Sequence, residues 1–318
     1  MGRLPSGRVL AAAGALLITA TVVALIAIGL SEPAPWSTSV WVGGFTAQGH
    51  VIRLPPFPIL SDMEVFNLNV QSGGRHFYVL GSDAGGRDLL ALIARGAPPS
   101  LGLVALVVLA RLTVGFVVGV AIGLGNAALR VLSRGMGRWV IGFPYLALAI
   151  ITIQAFPRSA RVPAFVAGMG LVGWREVSDL VAERIEHVRA QPFTLAARAL
   201  GTEGLTFFRL HVVPHLRPAL AVEIPFQASA VLVLLAELGF LQVYLNGGTA
   251  LLDVGQGGAS FVSSVLVNQP ELGQLLAGAR IYILQRQFEP VVMPALMIAV
   301  MALAFELLGV ALRGRARS

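Results

Sequence analysis

The sequence predicts an all-α polytopic membrane protein with six transmembrane helices. Three observations carry that expectation. Hydrophobic residues make up 56% of the 318 and charged residues only 12%, about half the charged share of a soluble domain. The mean hydropathy is +0.79. Long uncharged stretches recur, and arginines gather in the segments between them.

Val9 to Leu30 is 22 residues without a charge. At about 1.5 Å per residue that is enough to cross a bilayer core. Arg3 and Arg8 precede it, as they would in a secretory leader, but the apolar run exceeds a leader's usual length of about 7–15 residues. It reads as an uncleaved anchor. Residues 31–97 change character, with Pro33, Pro35, Pro55, Pro56, Pro58, Trp36, Trp41 and several charges. This composition predicts an external segment of turns and short strands, and "WVGGFTAQGHVIRL" suggests a hairpin around Gly49.

A second span is expected from about residue 98 to Leu129, interrupted by Arg111, and a third from Trp139 to Phe156. A fourth covers Val162 to about Val181, with Arg175, Glu176 and Asp179 at its end. A polar segment, 182–217, leads to a fifth span over Pro218–Leu241 that carries Glu223 and Glu237. A glycine-rich connection precedes the sixth, Val291–Leu312, with Glu306. Residues 98–312 are thus a five-helix core, and 1–318 reads as a single membrane domain.

Six spans put both termini on one side. The N-terminus, the 127–138 segment, the 182–217 segment and the C-terminus together hold thirteen arginines, and the longer segments on the other side hold eight. The denser side is the cytoplasmic one. The chain is therefore expected in the plasma (inner) membrane with both ends inside.

Composition also excludes chemistry. With no cysteine there are no disulfides, iron–sulfur clusters or thiol nucleophiles. All 23 basic residues are arginine, so neither a lysine-bearing phosphate loop nor a lysine Schiff base is available. Any ATP must be bound by another chain. The net charge of +7 is spread over the connecting segments, with no basic domain to hold nucleic acid.

The stretch "AARALGTEGLTFFRLHVVPHLRP", Ala196 to Pro218, is the least membrane-like part of the second half. Pro192 suits the first turn of a helix, and Gly201 suits a left-handed stop. Thr202 is placed to cap a second helix that Pro214 would end. Leu205, Phe208 and Val212 give that helix one apolar face. Such a face either packs on the protein's own helix ends or docks a partner.

Here a resemblance enters. "AARALG" followed by "FFRLHVVP" resembles the cytoplasmic loop of permease subunits of binding-protein-dependent ABC importers. That pattern is EAA, a glycine four residues on, then hydrophobic-x-proline. Leu80–Leu101, "LGSDAGGRDLLALIARGAPPSL", resembles the "LGTDxxGRDxxSRxxxGxRxSL" element of the oligopeptide, dipeptide and nickel group. "PELGQLLAGARIYI" and "PVVMPALMIAVMALAFELLGVALR" resemble its last loop and final span. The likeness covers about residues 80–312 and is nearer to the second permease of that group.

The resemblance implies a type I ABC importer permease fold. It also implies a heterodimer with a second permease subunit, two ATP-binding subunits, an external solute-binding protein and surrounding membrane lipid. ATP and Mg belong to the partner ATPases, and this chain binds no cofactor or metal of its own. The implied ATPase-coupling residues are Leu195, Ala196, Ala197, Arg198, Gly201, Phe208, His211 and Pro214. Leu195 stands where the family has glutamate, which removes a charge usually offered to the ATPase. Residues 33–79 do not resemble the family's connection. Glu237 is offset by two positions from a family glutamate, so that role is not transferred.

Arg111 inside a span costs about 2.5–3.5 kcal/mol on insertion scales and must face protein or water. It is a candidate for the translocation path, with Glu223 and Glu237 as possible partners; a purely structural ion pair is the rival reading. His211 and His215 have a metal-like spacing, but no third ligand is evident. The external motif Asp83, Gly86, Arg87, Asp88 reads as a turn capping a helix, with Asp83 near the helix start. The sequence leaves one other functional class open: a self-sufficient secondary transporter or channel using Arg111, Glu223 and Glu237 as a relay.

Overall fold

The computed structural model describes residues 12–21, 43–46, 52–53, 55–67, 72–125, 144–199, 204–243, 249–252, 264–267 and 271–317, with 9, 128, 131 and 245 singly. The chain forms two compact units, one of residues 1–17, 103–231 and 302–318, the other of residues 18–102 and 232–301.

Helices dominate the described residues. They are α1 (Ala12–Thr21), α2 (Leu89–Gly123), α3 (Tyr145–Ala155), α4 (Arg161–Arg189), α5 (Pro192–Ala199), α6 (Gly204–Phe207), α7 (Val213–Phe240), α8 (Ala279–Leu284) and α9 (Glu289–Arg317). Three are long and apolar enough to cross a membrane: α2, the continuous Phe208–Phe240 helix containing α7, and Glu289–Gly314 of α9. α1 and α3 are apolar but shorter. Residues 132–143, which include the third span's first residues, and Trp36, Trp41 and Gly49 lie outside the described residues.

The first unit is built on a close pair of helices. Gly115, Gly119 and Gly123 form one edge of α2. A Cβ at Gly119 would lie 2.7 Å from Ser178 O and 2.7 Å from Val181 Cβ, and one at Gly123 would lie 2.8 Å from Ile185 Cβ. Small residues at this spacing let two backbones touch, which is how helices associate where lipid removes the hydrophobic incentive. The contacts advance together, Gly115 on Val177, Gly119 on Val181 and Gly123 on Ile185, so α2 and α4 run in the same direction. Arg189 Nη1 donates to Gly123 O at 2.9 Å, placing a cation on the last carbonyls of α2.

α4 is longer than the sequence suggests. The expected span ends near Val181, where Glu183, Arg184, Glu186 and His187 begin a polar stretch. Instead the helix continues to Arg189. Its buried stripe of Val177, Val181, Ile185 and Val188 keeps helical spacing through the polar letters. These share the turns between buried positions, and Glu183, Glu186 and His187 are exposed.

The second unit departs from an all-α fold. Residues 43–78 contain a four-stranded antiparallel sheet in the order β2-β1-β3-β4, from β1 (Gly43–Thr46), β2 (Ile52–Arg53), β3 (Ser61–Asn67) and β4 (Ser72–Tyr78). β1 and β2 pair antiparallel, with Phe45 opposite Ile52. Met63, Val65 and Tyr78 alternate onto one face and bury with Phe57, while Asp62 and Glu64 alternate onto the other, the period of two that a half-buried strand requires. A smaller pair, β5 (Thr249–Leu252) and β6 (Ser264–Val267), lies in the glycine-rich connection. β1 and β2 fall in the stretch where a hairpin is expected; β5 and β6 are short and lie among glycines with little periodic signal, which is why composition leaves that pair unassigned.

α2 begins at Leu89, nine residues before the expected start, and runs through Pro98 and Pro99. Ser100 Oγ accepts the Leu272 N–H at 2.9 Å and Gly239 packs directly on the Gly273 backbone, which fixes this end of α2 and the 271–276 turn in the second unit.

Candidate functional site

Three constellations contain the sequence-predicted residues. The first is the turn before α2. Gly81 and Gly86 adopt φ of 81° and 70°, a region open to glycine. Asp83 Oδ1 accepts the Gly85 and Arg87 N–H groups, each at 2.9 Å, and Asp83 Oδ2 accepts from Arg87 Nε at 2.7 Å. Asp83 therefore folds the turn. It is Asp88 that caps the helix: its Oδ1 accepts from Leu90 N at 2.7 Å and Ala91 N at 3.1 Å.

The other Asp88 oxygen lies 2.7 Å from His76 Nε2 of β4. The Tyr78 hydroxyl donates to Gly86 O at 2.9 Å. Burial first, then the carboxylates of Asp88 and Asp83, hold the Tyr78 phenol well above its usual range. The sheet is thereby tied to the start of α2 through His76 and Tyr78, neither of which the motif alone reveals. Removing the cap by Asp88→Ala is expected to cost about 1–2 kcal/mol, read as a lower melting temperature of the purified protein; an unchanged melting curve would contradict the capping role.

The second constellation surrounds Arg111, which is only 5% exposed. Its Nε donates to Met169 O at 3.1 Å and its Nη1 to Gln227 Oε1 at 2.7 Å. Gln227 Nε2 then donates to Glu176 Oε2 at 2.8 Å and to Glu223 Oε1 at 2.9 Å. Gly173 makes the space, because a Cβ there would come within 2.6 Å of the guanidinium carbon. Glu223 thus joins Arg111 through Gln227. Glu237 does not: it is exposed, in the other unit and fourteen residues further along α7. Gln227 and Glu176 are the members that sequence reasoning misses. The available signal was Gln227 four residues after Glu223 in an apolar helix, one turn on and on the same face.

The third constellation is the elbow between α4 and α7. Thr194 Oγ1 donates to Val188 O at 2.6 Å, satisfying a carbonyl at the end of α4, and Pro192 opens α5. Gly201 and Thr202 lie outside the described residues. Pro214 does not end the second helix. α6 passes through a π-helical turn, Phe208–Val212, directly into α7. The Val213 N–H reaches back five residues to Phe208 O, so the ladder changes register one residue before the proline, where a missing donor is least disruptive.

The same turn changes which residues face inward. Phe207, Val212 and Leu216 bury with Val177, Val181, Ile185 and Val188, and Phe208 is only partly buried against them. Of the expected face of Leu205, Phe208 and Val212, Val212 is buried and Phe208 packs against the cluster, while the Leu205 side chain lies outside the described residues; the step of five from Phe207 to Val212 is the π turn's. The Phe193 ring stacks on His215 with centroids 6.0 Å apart and approaches His211 at 6.0 Å. His215 Nδ1 lies 2.7 Å from His211 O, and among the described residues no cluster of three or more His, Asp or Glu is placed to hold a metal ion. Ala196 and Leu210 are exposed. Leu195, Ala197 and Arg198 fall in α5.

The chain is similar to several known proteins. The peptide transport system permease protein SapC of Escherichia coli O6:H1 is 27% identical over 172 residues, covering 54% of this chain and 57% of its own. The di/tripeptide transport system permease protein DppC of Pseudomonas aeruginosa is 28% identical over 246 residues, covering 76% and 72%. The nickel transport system permease protein NikC of Escherichia coli K12 is 24% identical over 234 residues, covering 74% and 76%. Its homologues are permease subunits. The chain spans a little over half the length of the SapC proteins it matches. No family model matches. A solved amino acid ABC transporter covers 70% of this chain and 93% of its own at 18% identity and a TM-score of 0.45, too loose a likeness to build on.

Proposed function

We propose that this chain is the transmembrane permease subunit of an ABC importer for peptides or related small solutes. It forms half of the translocation path beside a second permease. Two ATPase subunits grip the elbow, and an external binding protein delivers cargo. ATP and Mg act in those partners; this chain moves. The observation that carries the reading is the elbow itself: a short helix, α5, and a π turn rooted by Phe207, Val212 and Leu216 on α4, with Phe193 43% and Leu210 60% exposed. A rooted knob transmits force and an exposed apolar tip grips a partner. Nucleotide binding in the motor then favours one of two permease conformations.

Purifying the intact complex and identifying its co-eluting subunits by mass spectrometry tests the partner set. Leu210→Arg and Gly201→Trp are each expected to reduce ATPase co-purification about tenfold or more, the effect of losing a well-packed interface anchor, with membrane insertion unchanged. Full co-purification by both variants would remove the elbow from the coupling role.

The Arg111–Gln227–Glu223 cluster favours a second reading, in which an ion relay drives transport without a motor. Uptake into liposomes holding this chain alone distinguishes the two: activity without ATPases supports the relay.

A further inference from the structure

The corner before α9 carries apolar side chains on both of its sides. The inner side of α8 is filled. Ala279 and Tyr282 are buried, and the Tyr282 hydroxyl accepts the Ala84 N–H at 3.1 Å. Gly278 lies flat on the Tyr282 ring, where a Cβ would come to 2.6 Å from it. The outer side continues with Ile283 and Leu284, then Phe288; Leu284 is 76% exposed and Phe288 53%. Arg280, Gln285 and Arg286 are interleaved with them and exposed.

This corner is held in place. Arg286 takes a φ of 59°, and the Gln287 N–H closes the turn on Tyr282 O at 2.9 Å. Phe288 directly precedes Glu289, the first residue of a helix long and apolar enough to cross a membrane. Val292 and Leu296, also exposed, follow Phe288 at four and eight residues, so the outer apolar side of the corner continues the exposed side of α9 without a break. The first turn of a span lies at the boundary of the hydrocarbon core. Aromatic and long cationic side chains are the types that suit that depth, ring or stem in the apolar layer and charge at the headgroups.

We infer that residues 280–288 are seated in the bilayer interface. Leu284 and Phe288 enter the upper acyl region, and Arg280 and Arg286 rest against lipid phosphates. A free aqueous loop gains nothing from a fixed turn presenting leucine and phenylalanine outward, whereas an interfacial segment gains both apolar burial and headgroup attraction. The inference needs only that α9 crosses the membrane. It is independent of any ATPase contact, so its failure leaves the importer reading standing.

The chain has no cysteine, so single-site labelling is direct. Leu284→Cys and Phe288→Cys, each carrying an environment-sensitive fluorophore, are reconstituted in vesicles of phosphatidylethanolamine and phosphatidylglycerol. Phe77→Cys, exposed on the outer face of the sheet, is the reference. At 284 and 288, emission is expected to shift to the blue and spin-labelled lipid to remove most of its intensity, with little loss to iodide; at 77 iodide is expected to dominate. Arg280→Gln combined with Arg286→Gln is expected to return part of the iodide quenching at 284. Iodide quenching at 284 and 288 equal to that at 77 would overturn the inference. Protection from both quenchers would overturn it too, by showing that a protein surface covers the corner. Unchanged lipid quenching in the double arginine variant would remove the headgroup contact from it.

Discussion

Gln227→Leu is expected to lower the stability of the purified protein by about 3 kcal/mol and to cut uptake by the reconstituted complex more than any other single change in the α7 helix. Gln227 is the junction of the buried polar cluster. Its Oε1 accepts from Arg111 and its Nε2 donates to both Glu176 and Glu223. Leucine fills the volume and removes all three hydrogen bonds. Arg111, already out of water, then has a guanidinium nitrogen with no acceptor, and breaking a buried polar network in this way costs more than the network contributes when whole. Gln227→Glu is a sharper variant. It keeps an acceptor for Arg111 but places a third carboxylate beside two others, so its melting temperature is expected to fall as pH rises through the range in which carboxylates ionise. Arg111→Ala is expected to lower transport more than complex assembly. The combination of Arg111→Ala with Gln227→Leu is expected to cost less than the sum of the two, since both remove one interaction. Additive losses would separate the two residues, and a Gln227→Leu protein with wild-type melting and uptake would leave the cluster without a role.

Gly119→Leu is expected to disrupt the α2–α4 pair, with a loss of about 3 kcal/mol or more in stability and a sharp fall in membrane yield. The Cβ alone would meet the Ser178 carbonyl and the Val181 Cβ at 2.7 Å, and the first of these is backbone, which cannot rotate aside. Opening the pair far enough for leucine also draws Arg189 away from Gly123 O and thins the packing under the elbow, where Val181, Ile185 and Phe207 share one cluster. Gly102→Leu is the control, because a Cβ there meets nothing within 4 Å; its melting temperature is expected to stay within a degree or so of the parent. Equal behaviour of the two variants would show that the glycine edge of α2 does not set the helix separation. Uptake and ATPase co-purification measured on the surviving Gly119→Leu protein would show whether the elbow depends on this support.

Much of the helical layout is legible in the sequence because lipid imposes a simple rule: long stretches must be apolar and must satisfy their own backbone. α2, α7 and α9 each overlap an expected span, α2 ending at Gly123 rather than near Leu129, and the homologues are the permeases that the "AARALG", "GSDAGGRD" and "PELGQLL" elements suggest. The ends of the helices are less legible. α4 runs beyond its apolar letters because tertiary contact with α2 rewards one stripe of Val177, Val181, Ile185 and Val188 and is indifferent to the charges opposite. α2 starts early because Asp88, rather than Asp83, is its cap. Pro214, a helix stop in isolation, is absorbed by a π turn whose register no propensity scale contains.

The sequence by itself determined that this is a chain of long apolar segments that resembles permeases and has no thiol, lysine or lysine-bearing phosphate-loop chemistry, because those properties depend on composition and on short contiguous motifs. Only the tertiary structure decided that Arg111 reaches both Glu223 and Glu176 through Gln227, that Glu237 stands apart, that His76 and Tyr78 bind the sheet to the α2 cap, and that Phe207 roots the elbow on α4. The physical reason is common to all four. Each is set by which groups meet after helices and strands have packed, and meetings across 8 to 116 residues leave no periodic trace in the chain.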